Sequence, residues 1–326
     1  MRLNRRAFLR AGGAVGLLAG CALGAGGAES PGRAPSLIID THTHFYDPAR
    51  PEGVPWPGKD EKRLYRTVLP KDYKSLPQPV PVAGTVVVEA SPWVEDNQWI
   101  LDLAARESFI VGFVGNLPVG TKRFPDDLRR FSQNRIFRGL RVSGGQLREK
   151  TGDKAYENDL RDLADRGLSL DVVGDPEMLP AVEELAGKIP QLRVIIDHVA
   201  GVKIDGKTPP PVWTNDIAKA AGHPNVFCKI SGLVEGAGKR DGTTPARLEF
   251  YQPTLETLWK SFGPECLIYG SNWPVSDLFA PCSVVQQIVL DFARSKGPQA
   301  LENLFWKNAQ AAYKWAARDD SQKPAV

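Results

Sequence analysis

Two of the chain's four histidines stand two residues apart in Asp40-Thr41-His42-Thr43-His44, directly after the apolar stretch Leu37-Ile38-Ile39. A β-strand alternates its side chains, so His42 and His44 project from one face about 7 Å apart, close enough to share a metal ion or a substrate oxygen. A bland reading makes them solvated residues at a strand end. What argues for a site is the set of polar residues that recurs in the same position along the rest of the chain.

Short β-branched runs at 37–40, 84–90, 109–116, 136–142, 168–172, 192–198, 225–230 and 265–271 alternate with helical patterns. The helical segments fall at 96–107, 126–132, 157–166, 176–188, 212–221, 254–262 and 284–295. Eight βα units over about 280 residues predict one distorted TIM (β/α)8 barrel, and the first strand has no Gly-rich phosphate loop to favour an open doubly wound sheet. A barrel of this kind carries its site at the C-terminal ends of the strands. There stand His42 and His44, Glu89, Asn116, Arg141, Asp171, His198, Lys229 and Asn272. Each could be an ordinary strand end meeting water. Together they can satisfy one another around a pocket, whereas burial of any one alone is costly.

The ends of the chain read differently. Asn4-Arg5-Arg6-Ala7-Phe8-Leu9-Arg10 is a twin-arginine motif, followed by a Gly/Ala-rich apolar stretch that ends in Leu18-Ala19-Gly20-Cys21. Residues 1–21 are therefore expected to be an export leader, too short to span a bilayer, with Cys21 lipidated and holding the protein at the cell envelope or in the periplasm. Residues 22–36 read as a flexible tether, 37–316 as the barrel, and 317–326 as a disordered tail. The chain has 41 basic and 38 acidic residues. Four of the arginines lie in the leader, so the remainder is close to neutral, which speaks against nucleic-acid binding. Cys228, Cys266 and Cys282 have no metal-ligand spacing and read as small apolar residues, although an exported protein could pair two of them.

Six stretches carry a family resemblance: IDTHTHFYDPARPEGVPWP at 39–57, TVVVEASPWVEDNQWILDLA at 85–104, FRGLR at 137–141, IIDHVAG at 195–201, NVFCKISGLVEGA at 225–237 and YGSNWPVSD at 269–277. From Leu37 to Tyr313 the chain resembles the amidohydrolase-related family, in the branch of sugar-lactone and pyrone-dicarboxylate lactonases. The resemblance implies a barrel hydrolase in which the strand-one His-x-His, a later histidine and a strand-eight aspartate hold a metal and activate water. Carried over, His42, His44 and His198 match as ligands for one divalent ion such as zinc. Asn272 replaces the aspartate, and Asp171 stands where metal-binding relatives carry histidine. An amide can orient water but cannot take its proton. The replacement base is sought among Asp277, Asp171 and Glu89, and the metal is expected to be weak or absent.

The chemistry favoured is hydrolysis of a lactone or related carboxylic ester, with His198, Asn272, Asp277 and Asp171 at the reacting centre. Arg141 is expected to grip a substrate carboxylate in bidentate fashion, Lys229 and Glu89 to bind substrate, and Tyr46, Trp56 and Trp93 to offer flat faces for a ring. The partner is a small molecule, a lactone or sugar acid. Two other readings stand beside this one: a catalytically impaired barrel that binds a sugar acid, and a decarboxylase. Asn272→Asp, which restores the family carboxylate, is expected to tighten metal binding and raise activity.

Overall fold

The computed structural model describes residues 33–324. The leader and Cys21 lie outside the described residues. Eight strands follow in sequence order: β1 (Ile39–Thr43), β2 (Gly84–Val88), β3 (Ile110–Gly115), β4 (Phe137–Ser143), β5 (Ser169–Val173), β6 (Arg193–Ile196), β7 (Val226–Ile230) and β8 (Leu267–Tyr269). Each pairs in parallel with the next, β1 through β8. Just past β8 the chain meets the first strand again: Asn272 N–H donates to the His42 carbonyl at 2.8 Å and His44 N–H to the Trp273 carbonyl at 2.9 Å. These two bonds bring the ring nearly to closure and fix the first-strand histidines against the loop after β8.

Parallel strands covered by helices are buried on both faces and so read as nearly continuous apolar runs. Val86-Val87-Val88 and Val194-Ile195-Ile196 are of this kind, and all are inaccessible to solvent. The seven helical segments expected from periodicity are all present, with shifted ends. The largest shift is at Leu248–Phe262, which begins well before 254 because Pro253 is accommodated inside the helix and not at its first turn. The first strand likewise runs through His42 to Thr43 and does not stop at Asp40.

The C-terminal segment corrects an expectation. Residues 317–324 are held and not loose: Arg318 Nη1 donates to the carbonyl of Glu107 at 2.7 Å and reaches those of Ala104 and Ile110 as well. Buried Gln322 bonds the Ala83 and Ser108 carbonyls. The signal missed in this polar sequence is that a guanidinium can gather several carbonyls at once, here from the end of the helix Asp96–Arg106 and the start of β3. At the other end Ser36 ties to Glu302 through its backbone N–H at 3.0 Å. Cys228, Cys266 and Cys282 are all unpaired. Among the described residues no helix is long and apolar enough to cross a membrane.

Candidate active site

A cavity of about 490 Å³ opens at the C-terminal ends of the strands, lined by His44, Trp56, Glu89, Asn116, Arg141, Ser143, Gln146, His198 and Asn272 among others. His42 lies beneath it, wholly buried, its ring centre 5.0 Å from that of His44 and 4.4 Å from that of His198. The three imidazoles converge as expected. Asp40 explains part of why they do: its buried carboxylate accepts from the backbone N–H of His42 at 3.0 Å, from that of Ser271 at 2.9 Å and from Tyr73 Oη at 2.6 Å, joining β1 to the loop after β8.

Two of the site residues sit on unusual backbone. His198, Val199, Ala200 and Gly201 run through the left-handed region with φ of 53°, 48°, 56° and 61°, and Asn272 has φ 59°. Non-glycine residues there cost roughly 1–2 kcal/mol each, so the turn is held by its surroundings. Asparagine tolerates the conformation better than most side chains, which suits position 272.

The chemistry of His44 follows from its partners. Nδ1 lies 3.0 Å from the Val88 carbonyl, which can only accept, so Nδ1 carries the proton and Nε2 presents a lone pair. Burial and the nearby Arg141 guanidinium drop its pKa to about 3, keeping it neutral. At 3.3 Å from Nε2 stands Asn272 Oδ1, a second acceptor, because Asn272 Nδ2 donates to Glu235 Oε1 at 2.8 Å. Two acceptors facing one another suit the O–H groups of a water or hydroxyl. Glu235, on the short turn Leu233–Gly236 after β7, is only partly exposed and its Oε2 is shut in without a partner. Burial pushes its carboxyl up to about 7, against the lowering effect of its hydrogen bonds. Sequence reasoning did not single out Glu235, although it lies within the SGLVEGA run.

Several expected roles do not survive. Asp277 accepts from Trp273 Nε1 at 2.7 Å and is an indole anchor, not a base beside the histidines. Asp171 and Lys229 are fully buried beneath the site and do not line the cavity; Lys229 Nζ donates to Asp171 Oδ2 at 2.6 Å, and Tyr313 Oη donates to the same oxygen at 2.8 Å. A lysine so enclosed cannot bind substrate directly. Tyr46 is buried too, its hydroxyl donating to the Leu64 carbonyl and its ring packed edge-on against Trp56. It supports Trp56, which does line the cavity. Trp93, 42% exposed, lies in a separate surface hollow with Glu52, Glu95 and Arg123. Glu89 and Arg141 are at the cavity wall, but bound to each other: Arg141 Nε donates to Glu89 Oε1 at 2.9 Å and Nη2 to the Glu89 carbonyl at 2.7 Å. The Nε edge of the guanidinium is thereby used, leaving Nη1 for a substrate oxygen.

Because the Asp277 carboxylate is held by Trp273 and makes no contact with the histidines, Asp277→Asn should leave hydrolytic turnover within about threefold while lowering stability by about 1 kcal/mol. Thermal unfolding beside a turnover assay measures both, and a hundredfold loss of turnover in a folded protein would restore Asp277 to the chemistry.

The atoms that come together as a possible metal cluster are those of His42, Asp197 and His198, not those of His44. Asp197, directly before His198, is the ligand candidate that sequence reasoning overlooked. Zinc held by such atoms sits about 2.0–2.2 Å from each. Here, however, Lys229 Nζ already lies 2.9 Å from Asp197 Oδ1 and 3.2 Å from His42 Nδ1. His198 Nδ1 is also engaged, 2.9 Å from Ser231 Oγ. Burial alone would raise Asp197, but the Lys229 ammonium 2.9 Å away opposes it, and the carboxyl is held well below the usual range. Burial and the same ammonium push His42 well below the usual imidazole value, and burial takes His198 down to about 4. The corner that would receive a divalent ion already contains a cation, so the residues present do not fit a tightly held metal.

A parallel eight-stranded barrel with imidazoles, an amide and a near-neutral carboxyl gathered at its C-terminal mouth is the architecture of a barrel enzyme that activates water. The chain belongs to the amidohydrolase family, whose profile matches residues 39–315. It is 34% identical over 243 residues to an L-fucono-1,5-lactonase of Burkholderia ambifaria, covering 74% of this chain and 81% of that one. A second L-fucono-1,5-lactonase, from Burkholderia multivorans, is 28% identical over 290 residues, 85% of this chain and 95% of that one. Among solved structures, an amidohydrolase from Burkholderia multivorans with bound zinc shares the fold at a TM-score of 0.75 and 24% identity, covering 86% of this chain and 99% of that one. A probable 2-pyrone-4,6-dicarboxylic acid hydrolase from Acinetobacter baumannii, with citric acid bound, shares it at 0.67 and 17% identity, over 85% and 99%.

Proposed function

We propose that the protein hydrolyses an uncharged, hydroxylated sugar lactone, with Glu235 as the base that takes the proton of the attacking water. The observation that carries this reading is the line His44 Nε2, Asn272 Oδ1, Asn272 Nδ2, Glu235. It supplies two acceptors to orient a water and, beside them, a carboxyl poised near 7, the range in which a general base works best at neutral pH. A barrel that only binds sugar acids needs no such carboxyl. Water adds to the lactone carbonyl as its proton passes to Glu235; the ring C–O bond then breaks and the departing alkoxide oxygen takes a proton back, giving the open hydroxy acid. Arg141 Nη1 is available to the substrate's oxygens.

Substrate charge is argued from the wall. Its ionic side chains, Glu89 and Arg141, neutralise each other, and the other polar lining is amide, hydroxyl and imidazole from His44, Asn116, Ser143, Gln146, His198 and Asn272. Such a wall suits hydroxyl groups better than carboxylates, which would require an unpaired cation. The L-fucono-1,5-lactonase relatives support the same class. Export and lipid anchorage at Cys21 belong to the proposal as well, supported by the Arg5-Arg6 pair and the Leu18–Cys21 run.

The test is proton release, corrected for spontaneous opening, from a panel of neutral aldonolactones and a dicarboxylate lactone, with and without chelator. Turnover of the neutral lactones, faster than of the dicarboxylate and unaltered by chelator, is expected. A preference for the dicarboxylate, or tight binding of sugar acids with no turnover of any lactone, would overturn the reading.

A further inference from the structure

The least explained group in the molecule is His42. It is fully buried, and its Nε2 has no hydrogen-bond partner, a costly condition that is rare in folded proteins. Its other nitrogen is accounted for by Lys229. An ammonium has donors only, so the 3.2 Å contact from Nζ requires a lone pair on His42 Nδ1. In the neutral ring the proton then resides on Nε2. The orphan is therefore an N–H donor, set between the two imidazoles, His44 and His198, that line the cavity.

The surroundings of Lys229 make this arrangement rigid. Nζ is 2.6 Å from Asp171 Oδ2 and 2.9 Å from Asp197 Oδ1, with the Tyr313 ring 5.3 Å away, and none of these carboxylates is solvated. The His42 Nδ1 to Asp197 Oδ1 distance of 3.6 Å is too long for the competing bond in which Nδ1 would donate.

We infer that Lys229 takes the place of a metal ion in this barrel: its ammonium sits among the atoms that would ligate the ion and, by occupying His42 Nδ1, fixes His42 as the tautomer with its proton on Nε2. Lys229 is thus a positioning residue, acting through His42. The tautomer and the metal exclusion are both measurable without substrate.

The experiment uses the full chain without a histidine tag, so that its four histidines give the only imidazole signals. With ¹⁵N-histidine labelling, His42, assigned by comparison with His42→Gln, should show a proton directly bonded to Nε2 and a pyridine-like Nδ1. The wild-type protein should carry no stoichiometric zinc after dialysis against a mild chelator. Lys229→Met, which removes the ammonium and leaves Asp197 and His42 free to ligate, should bind zinc at least tenfold more tightly in competition with a chromophoric chelator. A proton on His42 Nδ1 in the wild type, or one chelator-resistant zinc per chain, overturns the inference, as does unchanged zinc affinity in folded Lys229→Met. Should that variant not fold, the two wild-type measurements decide alone. Failure of the lactone panel with the expected tautomer and no zinc would sink the substrate reading and leave this one standing.

Discussion

Glu235→Gln should lower kcat/KM for lactone hydrolysis by about 10²–10⁴ and at the same time make the protein more stable above neutral pH. The substitution keeps shape and an acceptor for Asn272 Nδ2, so the loss reports the carboxylate and not a collapsed loop. Burial raises the Glu235 carboxyl to about 7 from an ordinary 4.5. The base is the ionised form, so wild-type kcat/KM should fall as pH drops below about 7, and this limb should vanish in the variant. Protonation also threatens the water site: a Glu235 O–H could donate to the Asn272 oxygen, turning the amide's NH₂ toward His44 Nε2 and filling the acceptor pair. The stability sign is the opposite of the usual carboxylate. A raised folded-state value means that the ionised form is disfavoured by folding, a cost absent below about 4.5 and accruing as pH rises to about 7. Glu235→Gln removes it, for a gain of about 1–3 kcal/mol at pH 8, the trade expected where a site is kept at the expense of stability. Denaturant unfolding and pH–rate profiles on the same two proteins measure both halves. A variant within threefold of wild type, or one that keeps the limb near 7, would show that the proton goes elsewhere.

The barrel was legible because its signal is repetitive: eight buried strands each announce themselves by a β-branched run, and parallel strands covered on both faces leave little room for another period. The positions of His44, Glu89, Arg141, His198 and Asn272 followed from the same rule, since strand C-termini meet at one mouth. Direction and depth were not legible. Lys229 and Asp171 occupy strand positions like those of the lining residues, yet both point into the closed interior, where they satisfy each other. Asp277 and Trp93 lie in loops whose course no periodicity encodes, and one turned back to an indole while the other faced outward. Glu235 was hidden for a related reason. It belongs to a short turn after a strand, not to the strand end, and only the approach of the β7 and β8 loops reveals that it partners Asn272. Asp197 was readable in principle as the acid beside His198, but its pairing with a lysine from the next strand is a matter of three dimensions.

Asn272→Asp puts that three-dimensional lesson to the test. From sequence alone the change restores the carboxylate found at this strand end in the family, and tighter metal binding with faster turnover would follow. The geometry reverses both expectations. Asn272 Nδ2 donates to Glu235 Oε1 at 2.8 Å, so an aspartate would set a second carboxylate oxygen at hydrogen-bond distance from the first. Two carboxyls so placed share a proton, the loss of the second being strongly opposed. Asp277, which already raises Glu235, adds to the repulsion. The backbone is no obstacle, because aspartate like asparagine tolerates the φ of 59° at this position. We therefore expect the acid limb of the pH–rate profile to move up by about one unit or more and kcat/KM at pH 7 to fall about tenfold, with recovery at higher pH. Zinc affinity should stay within a few-fold of wild type, because the Lys229 ammonium still stands 2.9 Å from Asp197. Profiles from pH 5.5 to 8.5 beside a zinc titration decide the matter. A faster enzyme at pH 7 with a firmly bound zinc would mean that position 272 answers to the histidines and not to Glu235, and that Lys229 yields its place readily to a metal.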